Sequence, residues 1–167
     1  MTSKRDDLAL EAELLERTGT QYAVIGGVAL QVYQDEPRTT LDVDVAVATL
    51  DALPRQELAA AGFAEQGRHA HSENWLAPGG TPVQFTDDSE LAAALPRAAR
   101  AQAGTIDFCV LCKPDLLQAK LRAAVDPARR RSKRTQDLAD AQALLEDDPL
   151  LAKGLTPAQR RLLASIG

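Results

Sequence analysis

Residues 41–48 constrain the fold more than any other stretch. Leu41, Val43, Val45 and Val47 alternate with Asp42 and Asp44. Side chains two apart on a strand leave from one face, roughly 7 Å apart along it. One face of such a strand must be covered by a core, while the other presents two carboxylates side by side. Upstream, Tyr22-Ala-Val-Ile-Gly-Gly27 leads into Val28-Ala-Leu-Gln-Val-Tyr33, the pattern of a short buried strand, a glycine turn and a helix. Paired glycines allow positive φ angles and close backbone approach. Asp35-Glu36-Pro37-Arg38 reads as the loop back to the second strand, because proline disfavours helix in the residue before it. A carboxylate pair just beyond a glycine turn that opens a helix suits a divalent cation held beside a phosphate chain.

The rest of the chain can be placed around this unit. Residues 6–17 carry Leu8, Leu14 and Leu15 at helical spacing. Residues 54–62 predict a helix with proline in its first turn and glycine at its end, and residues 63–66 a short strand. Residues 68–76 and 81–86 flank Ala77-Pro78-Gly79-Gly80 and predict an antiparallel hairpin. The alanine-rich residues 90–102 predict a helix interrupted by Pro96, and residues 104–111 a strand. Helices are expected over 114–125 and 132–146. A last helix has Thr156 as N-cap and Leu162, Leu163 and Ile166 as its apolar side. The expected architecture is α/β: a mixed sheet flanked by helices over residues 1–112, with a helical region over 113–167 packed on it.

Composition narrows the function classes. The chain has 167 residues, 45% hydrophobic and 26% charged, enough for a real core. No apolar run reaches the roughly 18 residues of a membrane span. The charged N-terminus lacks the apolar stretch of a secretory signal. Two cysteines argue against a disulfide scaffold, so a reducing cytoplasm is the expected compartment. A net charge of −5 argues against a broad grip on nucleic acid, DNA included, and 4% aromatics are too few for base-stacking platforms.

Gly26-Gly27, the short helix, Pro37-Arg38-Thr39-Thr40 and Asp42-x-Asp44, in that order, resemble the signature of the nucleotidyltransferase fold. Within it they are similar to AbiE-type abortive-infection toxin nucleotidyltransferases. Leu117-Gln-Ala-Lys120-Leu followed by Asp137-Leu-Ala-Asp140 resembles the same group. The resemblance implies a Mg2+-dependent transfer of a nucleotidyl group from a nucleoside triphosphate such as ATP to a hydroxyl acceptor. RNA or protein would be that acceptor, and an antitoxin is an implied partner. Asp42 and Asp44 would be metal ligands and catalytic; Gly26, Gly27, Arg38, Thr40 and Lys120 would contact nucleotide and phosphate.

One position departs from that pattern. The family takes a third carboxylate from a neighbouring strand, and its counterpart in Pro82-Val83-Gln84-Phe85-Thr86 is Gln84, which is uncharged and a poor base. Asp87 or Asp88 would replace it if the strand end bends. Otherwise the chain is a catalytically impaired relative that binds a nucleotide or a partner. Asp137 and Asp140 read equally as helix-surface residues, and Lys120 as a lysine snorkelling at the core's rim. Cys109 and Cys112, with His69 and His71, number enough ligands for zinc, but nothing brings them together, and the cysteines read as small buried hydrophobes. Arg129, Arg130, Arg131, Lys133 and Arg134 form a basic cluster that is either a solvated helix start or, in a third reading, the contact surface of an RNA-binding accessory protein.

Overall fold

A computed structural model describes residues 3–35 and 38–165; Pro37 and Ile166 lie outside the described residues. Ser3 opens α1 (Lys4–Arg17) with a capping box shared with Asp6. β1 (Tyr22–Ile25) runs without a loop into α2 (Gly26–Tyr33), and the chain returns through β2 (Val43–Val47). A short 3-10 turn and α3 (Arg55–Ala60) lead to β3 (Ala64–Arg68), β4 (Ser72–Leu76) and β5 (Pro82–Thr86). Asp88 caps α4 (Ser89–Ala94), which is followed by β6 (Ala99–Ala103) and β7 (Ile106–Val110). The remainder is helical: α5 (Lys113–Val125), α6 (Arg131–Asp147), a 3-10 segment and α7 (Pro157–Ala164). Thr156 caps α7 through a capping box with Gln159, as its position predicts. None of the helices described is long and apolar enough to cross a membrane.

Among the described residues seven strands form one mixed sheet in the order β3-β4-β5-β2-β1-β7-β6. The β2–β5 and β1–β7 pairs are parallel and the others antiparallel. One face carries Val43, Val45, Val47, Tyr22, Val24, Val83, Phe85, Phe108 and Val110 into the large core, where α1 adds Leu8, Ala12 and Leu15. The other face is built from small residues: Ala23 and Ala46 pack with Leu95 and the half-buried Ile25, Leu91 and Ala98. Strand alternation puts Asp44 on this second face. There, pairing sets Ile25 beside Asp44 and Asp44 beside Gln84.

Two expectations are corrected. Residues 99–103 are a strand rather than the end of a helix. Ala99-Arg-Ala-Gln-Ala has good helix formers, yet it alternates with period two, and full pairing of its five residues with β7 outweighs helix propensity. Asp42 lies one residue before β2, so only Asp44 of the pair is within the strand.

The α1 helix fixes the loops around β2 and β5. Lys4 donates from Nζ to the Thr40 carbonyl at 2.7 Å. The buried Asp7 carboxylate accepts from the N–H groups of Gly79 at 2.9 Å and Thr81 at 3.2 Å, so it holds the β4–β5 turn.

Candidate functional site

The close approach of Asp44 to the β1–α2 junction explains the glycine pair. Gly26 has φ +64°, and a Cβ there would lie 2.6 Å from Asp44 Oδ2. A Cβ on Gly27 would lie 2.9 Å from the Thr40 Cβ. Any larger residue would displace the carboxylate or the threonine. Ile25, at the N-cap of α2, offers no side-chain hydrogen bond. Among the described residues no side chain accepts from the first-turn N–H groups, at the end where the helix dipole is positive. Thr40 Oγ1 donates to Asp42 Oδ1 at 2.7 Å and orients that carboxylate.

Burial, and then the charge of Asp42, push the half-buried Asp44 up to about 6, against the lowering effect of Lys120, Arg129 and Lys133. The donors here are hard oxygens: two carboxylates, with the Thr40 hydroxyl beside Asp42 and the Gln84 amide beside Asp44. Among the described residues no group of three or more His, Cys, Asp or Glu converges as a metal site. Magnesium fits this set, because it commonly binds one or two carboxylates and completes its shell with waters and substrate phosphates.

Across the cleft lies an ion cluster. Arg38 forms a two-pronged pair with Asp140, Nε to Oδ1 and Nη2 to Oδ2, both at 3.1 Å. Lys120 Nζ is 3.1 Å from Asp137 Oδ1 and 2.8 Å from Asp140 Oδ2. Arg129 Nε reaches Asp137 Oδ2 at 2.5 Å. Burial would raise Asp140, but the hydrogen bonds from Arg38 and Lys120 and the Lys120 charge hold it below the ordinary carboxylate range. Both aspartates are buried, at 2% and 5% exposure, which corrects their reading as surface residues. Lys120 is 7% exposed and ion-paired, which corrects the snorkelling alternative. The available signal was the i, i+3 spacing of two aspartates opposite a lysine on the preceding helix. Arg129 had no such signal, since its partner sits eight positions away.

Gln84 occupies the place beside Asp44 in the parallel register and donates from Nε2 to Asn74 Oδ1 at 3.1 Å. The two aspartates offered as replacements are engaged elsewhere. Asp87 Oδ2 accepts from the Leu50 N–H at 3.3 Å, and its Oδ1 is 3.0 Å from His71 Nδ1. Asp88 accepts from the Leu91 N–H at 3.1 Å as the cap of α4, and Arg122 is 3.4 Å away. The strand end does not bend back, so neither replaces Gln84. Cys109 and Cys112 are half-exposed rather than buried. The Cys112 thiol donates to Asp115 Oδ2 at 3.0 Å, and the Cys109 sulfur lies 3.2 Å from Arg100 Nη1.

All seven residues singled out in the sequence, Gly26, Gly27, Arg38, Thr40, Asp42, Asp44 and Lys120, line one cleft of about 760 Å3. Gln84, Arg129, Lys133 and Asp137 line it too, and Leu91, Leu116 and Ala119 form its apolar wall. Its chemistry is therefore two-sided, with a carboxylate pair at the sheet and a cationic helical wall facing it.

No protein-family model matches the sequence, and no curated protein matches it. Solved structures do match its fold. The lincomycin-bound lincosamide antibiotic adenylyltransferase LnuA aligns with 86% of this chain and 98% of its own, with a TM-score of 0.59 at 10% identity. The antibiotic-resistance factor ANT(2'')-Ia aligns with 99% of this chain and 96% of its own, with a TM-score of 0.59 at 14% identity. An antigenic nucleotidyltransferase-like protein from Paracoccidioides brasiliensis aligns over 93% and 89%, with a TM-score of 0.54 at 19% identity. The mixed sheet flanked by helices therefore shares its fold with these solved structures.

Proposed function

We propose that this chain transfers a nucleotidyl group from a nucleoside triphosphate to an acceptor oxygen bound in the same cleft. One observation carries the reading. Asp42 and Asp44 stand at the N-terminus of α2, which lacks a side-chain cap, and they face the cations Lys120, Arg129 and Lys133. A triphosphate needs those elements together: N–H donors at a helix start, cations for its anionic oxygens, and carboxylates for its counter-ion. Asp42 and Asp44 would hold Mg2+, which when bound neutralises phosphate charge.

The chain's own groups divide the remaining work. The Gly26-Gly27 backbone approaches the phosphates, and Lys120 presents a charge fixed by Asp137 and Asp140. The Arg38 fork is held by Asp140 at the cleft's rim. The acceptor oxygen forms a bond to the α-phosphorus while the bond from that phosphorus to the bridging oxygen breaks. The electron pair leaves with pyrophosphate.

The finer assignment is to the AbiE-type toxin nucleotidyltransferases, with an antitoxin as partner. It is supported by the order Gly26-Gly27, Asp42-x-Asp44, Lys120, Asp137 and Asp140, all brought to one cleft except Asp140, which anchors its cations. Gln84 favours a second reading, a relative that binds nucleotide without turning it over, because the neutral amide stands beside Asp44.

Calorimetric titration with each of the four ribonucleoside triphosphates, with and without Mg2+, tests the proposal. Binding that needs Mg2+ and weakens at least about tenfold in Asp42→Ala supports it. Absence of binding by any of the four contradicts it.

A further inference from the structure

The carboxylates of the cleft are already committed. Among the described residues three line it, Asp42, Asp44 and Asp137. Asp137 is taken by Lys120 and Arg129, and Asp42 accepts from the Thr40 hydroxyl. Asp42 and Asp44 are also the cation's pair. The residue beside Asp44 is Gln84, whose Nε2 is spent on Asn74. Its carbonyl oxygen accepts a hydrogen bond but does not hold a proton near neutral pH. Among the described residues a hydroxyl nucleophile would find no free base here.

The uncommitted charge has the opposite sign. Arg38, Lys120 and Arg129 are each paired with an aspartate. Lys133 lines the cleft and makes no ion pair among the described residues, and neither do its neighbours Arg130, Arg131 and Arg134. In a chain of net charge −5, Lys133 is thus a cation on the cleft wall without an acidic partner among the described residues, free to attract an anion.

We infer that the acceptor is a phosphate monoester, whose oxygen is already ionised when it meets the α-phosphorus. The inference rests on the nucleotidyl-transfer reading above and specifies its acceptor. A phosphate monoester has its second pKa near 6, so its dianion dominates at neutral pH. One of its oxygen lone pairs forms the new bond to the α-phosphorus. The bond from that phosphorus to the bridging oxygen breaks, and its electron pair leaves with pyrophosphate. The product is a phosphoanhydride, and no proton has to be removed. Gln84 then suits the chemistry, since a carboxylate at that place would repel the incoming anion. Lys133 on the cleft wall attracts it.

Pyrophosphate release from the wild-type chain with Mg2+ and each nucleoside triphosphate is measured with matched acceptors. The pairs are glycerol 3-phosphate with glycerol, ribose 5-phosphate with ribose, and a 3′-blocked oligonucleotide with and without a 5′-phosphate. The first two probe small esters and the third a polynucleotide source. Release at least about tenfold faster with the phosphorylated member of a pair is expected, with a phosphoanhydride as product. Gln84→Glu, which sets a negative charge where the ester approaches, is expected to slow release with the phosphorylated members about tenfold and so erase that preference. Binding of the same ester to protein saturated with an α,β-methylene triphosphate, weakened about fivefold or more by Lys133→Ala, gives a readout independent of turnover. Equal or faster release with the unphosphorylated members overturns the inference. So does bound nucleotide with no release from any pair, which favours the non-catalytic relative. Failure of nucleotide binding itself would instead remove the transfer reading, and this inference with it.

Discussion

Gln84 and Asp44 are register partners across β2 and β5, side by side on the small-residue face of the sheet. The pairing sets a neutral amide beside a half-buried carboxylate already pushed up to about 6 by burial and by Asp42. A third carboxylate there would raise the field for a cation. Gln84→Glu is therefore expected to tighten Mn2+ or Mg2+ binding by about tenfold, read by calorimetry without nucleotide. Unchanged affinity would mean that residue 84 does not face the cation.

Asp137 neutralises Lys120 and Arg129 from a position 2% exposed. Asp137→Ala leaves a buried ammonium with one acidic partner and releases Arg129. A loss of roughly 3 kcal/mol in urea unfolding is expected, together with a fall in melting temperature of roughly 6–12 °C. Asp137→Asn, which keeps hydrogen bonding, is expected to lose less. A loss below about 0.5 kcal/mol in the alanine variant would show that the cluster does not brace the cleft.

The strand, turn and helix around Asp42 and Asp44 were legible because alternation and glycine punctuation are local signals. The ion cluster was not, because Arg38 and Asp140 are far apart in sequence and meet only when α6 packs beside the loop before β2. Asp137 and Asp140 have the spacing of an ordinary solvated helix face, and only the burial of that face changes their meaning. The β6 strand was hidden for a related reason, since an alanine-rich edge strand is specified by its partner β7 rather than by its own propensity. The engagement of Asp87 and Asp88 by Leu50, His71 and Leu91 likewise depends on contacts no spacing rule anticipates.

Glu11 is 1% exposed, and both its carboxylate oxygens lack a hydrogen-bond partner. Burial, then the charges of Asp44 and Asp7, push it up from 4.5 to about 8. Between those pH values the folded chain keeps a proton that the unfolded chain releases, so stability falls as pH rises through that window. The slope is at most about 1.4 kcal/mol per pH unit. Glu11→Gln, neutral at every pH, is expected to melt near the wild type at pH 5 and several degrees above it at pH 8. A stability difference that does not grow with pH would contradict this assignment.

Gly26→Ala forces a Cβ into a residue with φ +64° and onto Asp44 Oδ2. The left-handed backbone alone costs about 1–2 kcal/mol. Because the carboxylate must also shift, nucleotide affinity in Mg2+ is expected to fall further than stability predicts. Gly80→Ala, at φ +90° with open space around it, supplies the control for backbone strain without displacement of Asp44. Equal nucleotide affinities in the two variants would separate the glycine turn from the site.

The most direct test is a crystal structure of the chain with Mg2+ and an α,β-methylene nucleoside triphosphate. The account predicts a cation on Asp42 and Asp44, phosphate oxygens against the Gly26-Gly27 backbone at the start of α2, and the triphosphate facing Lys120. A nucleotide bound outside this cleft, or bound within it with neither aspartate touching the cation, would contradict the account.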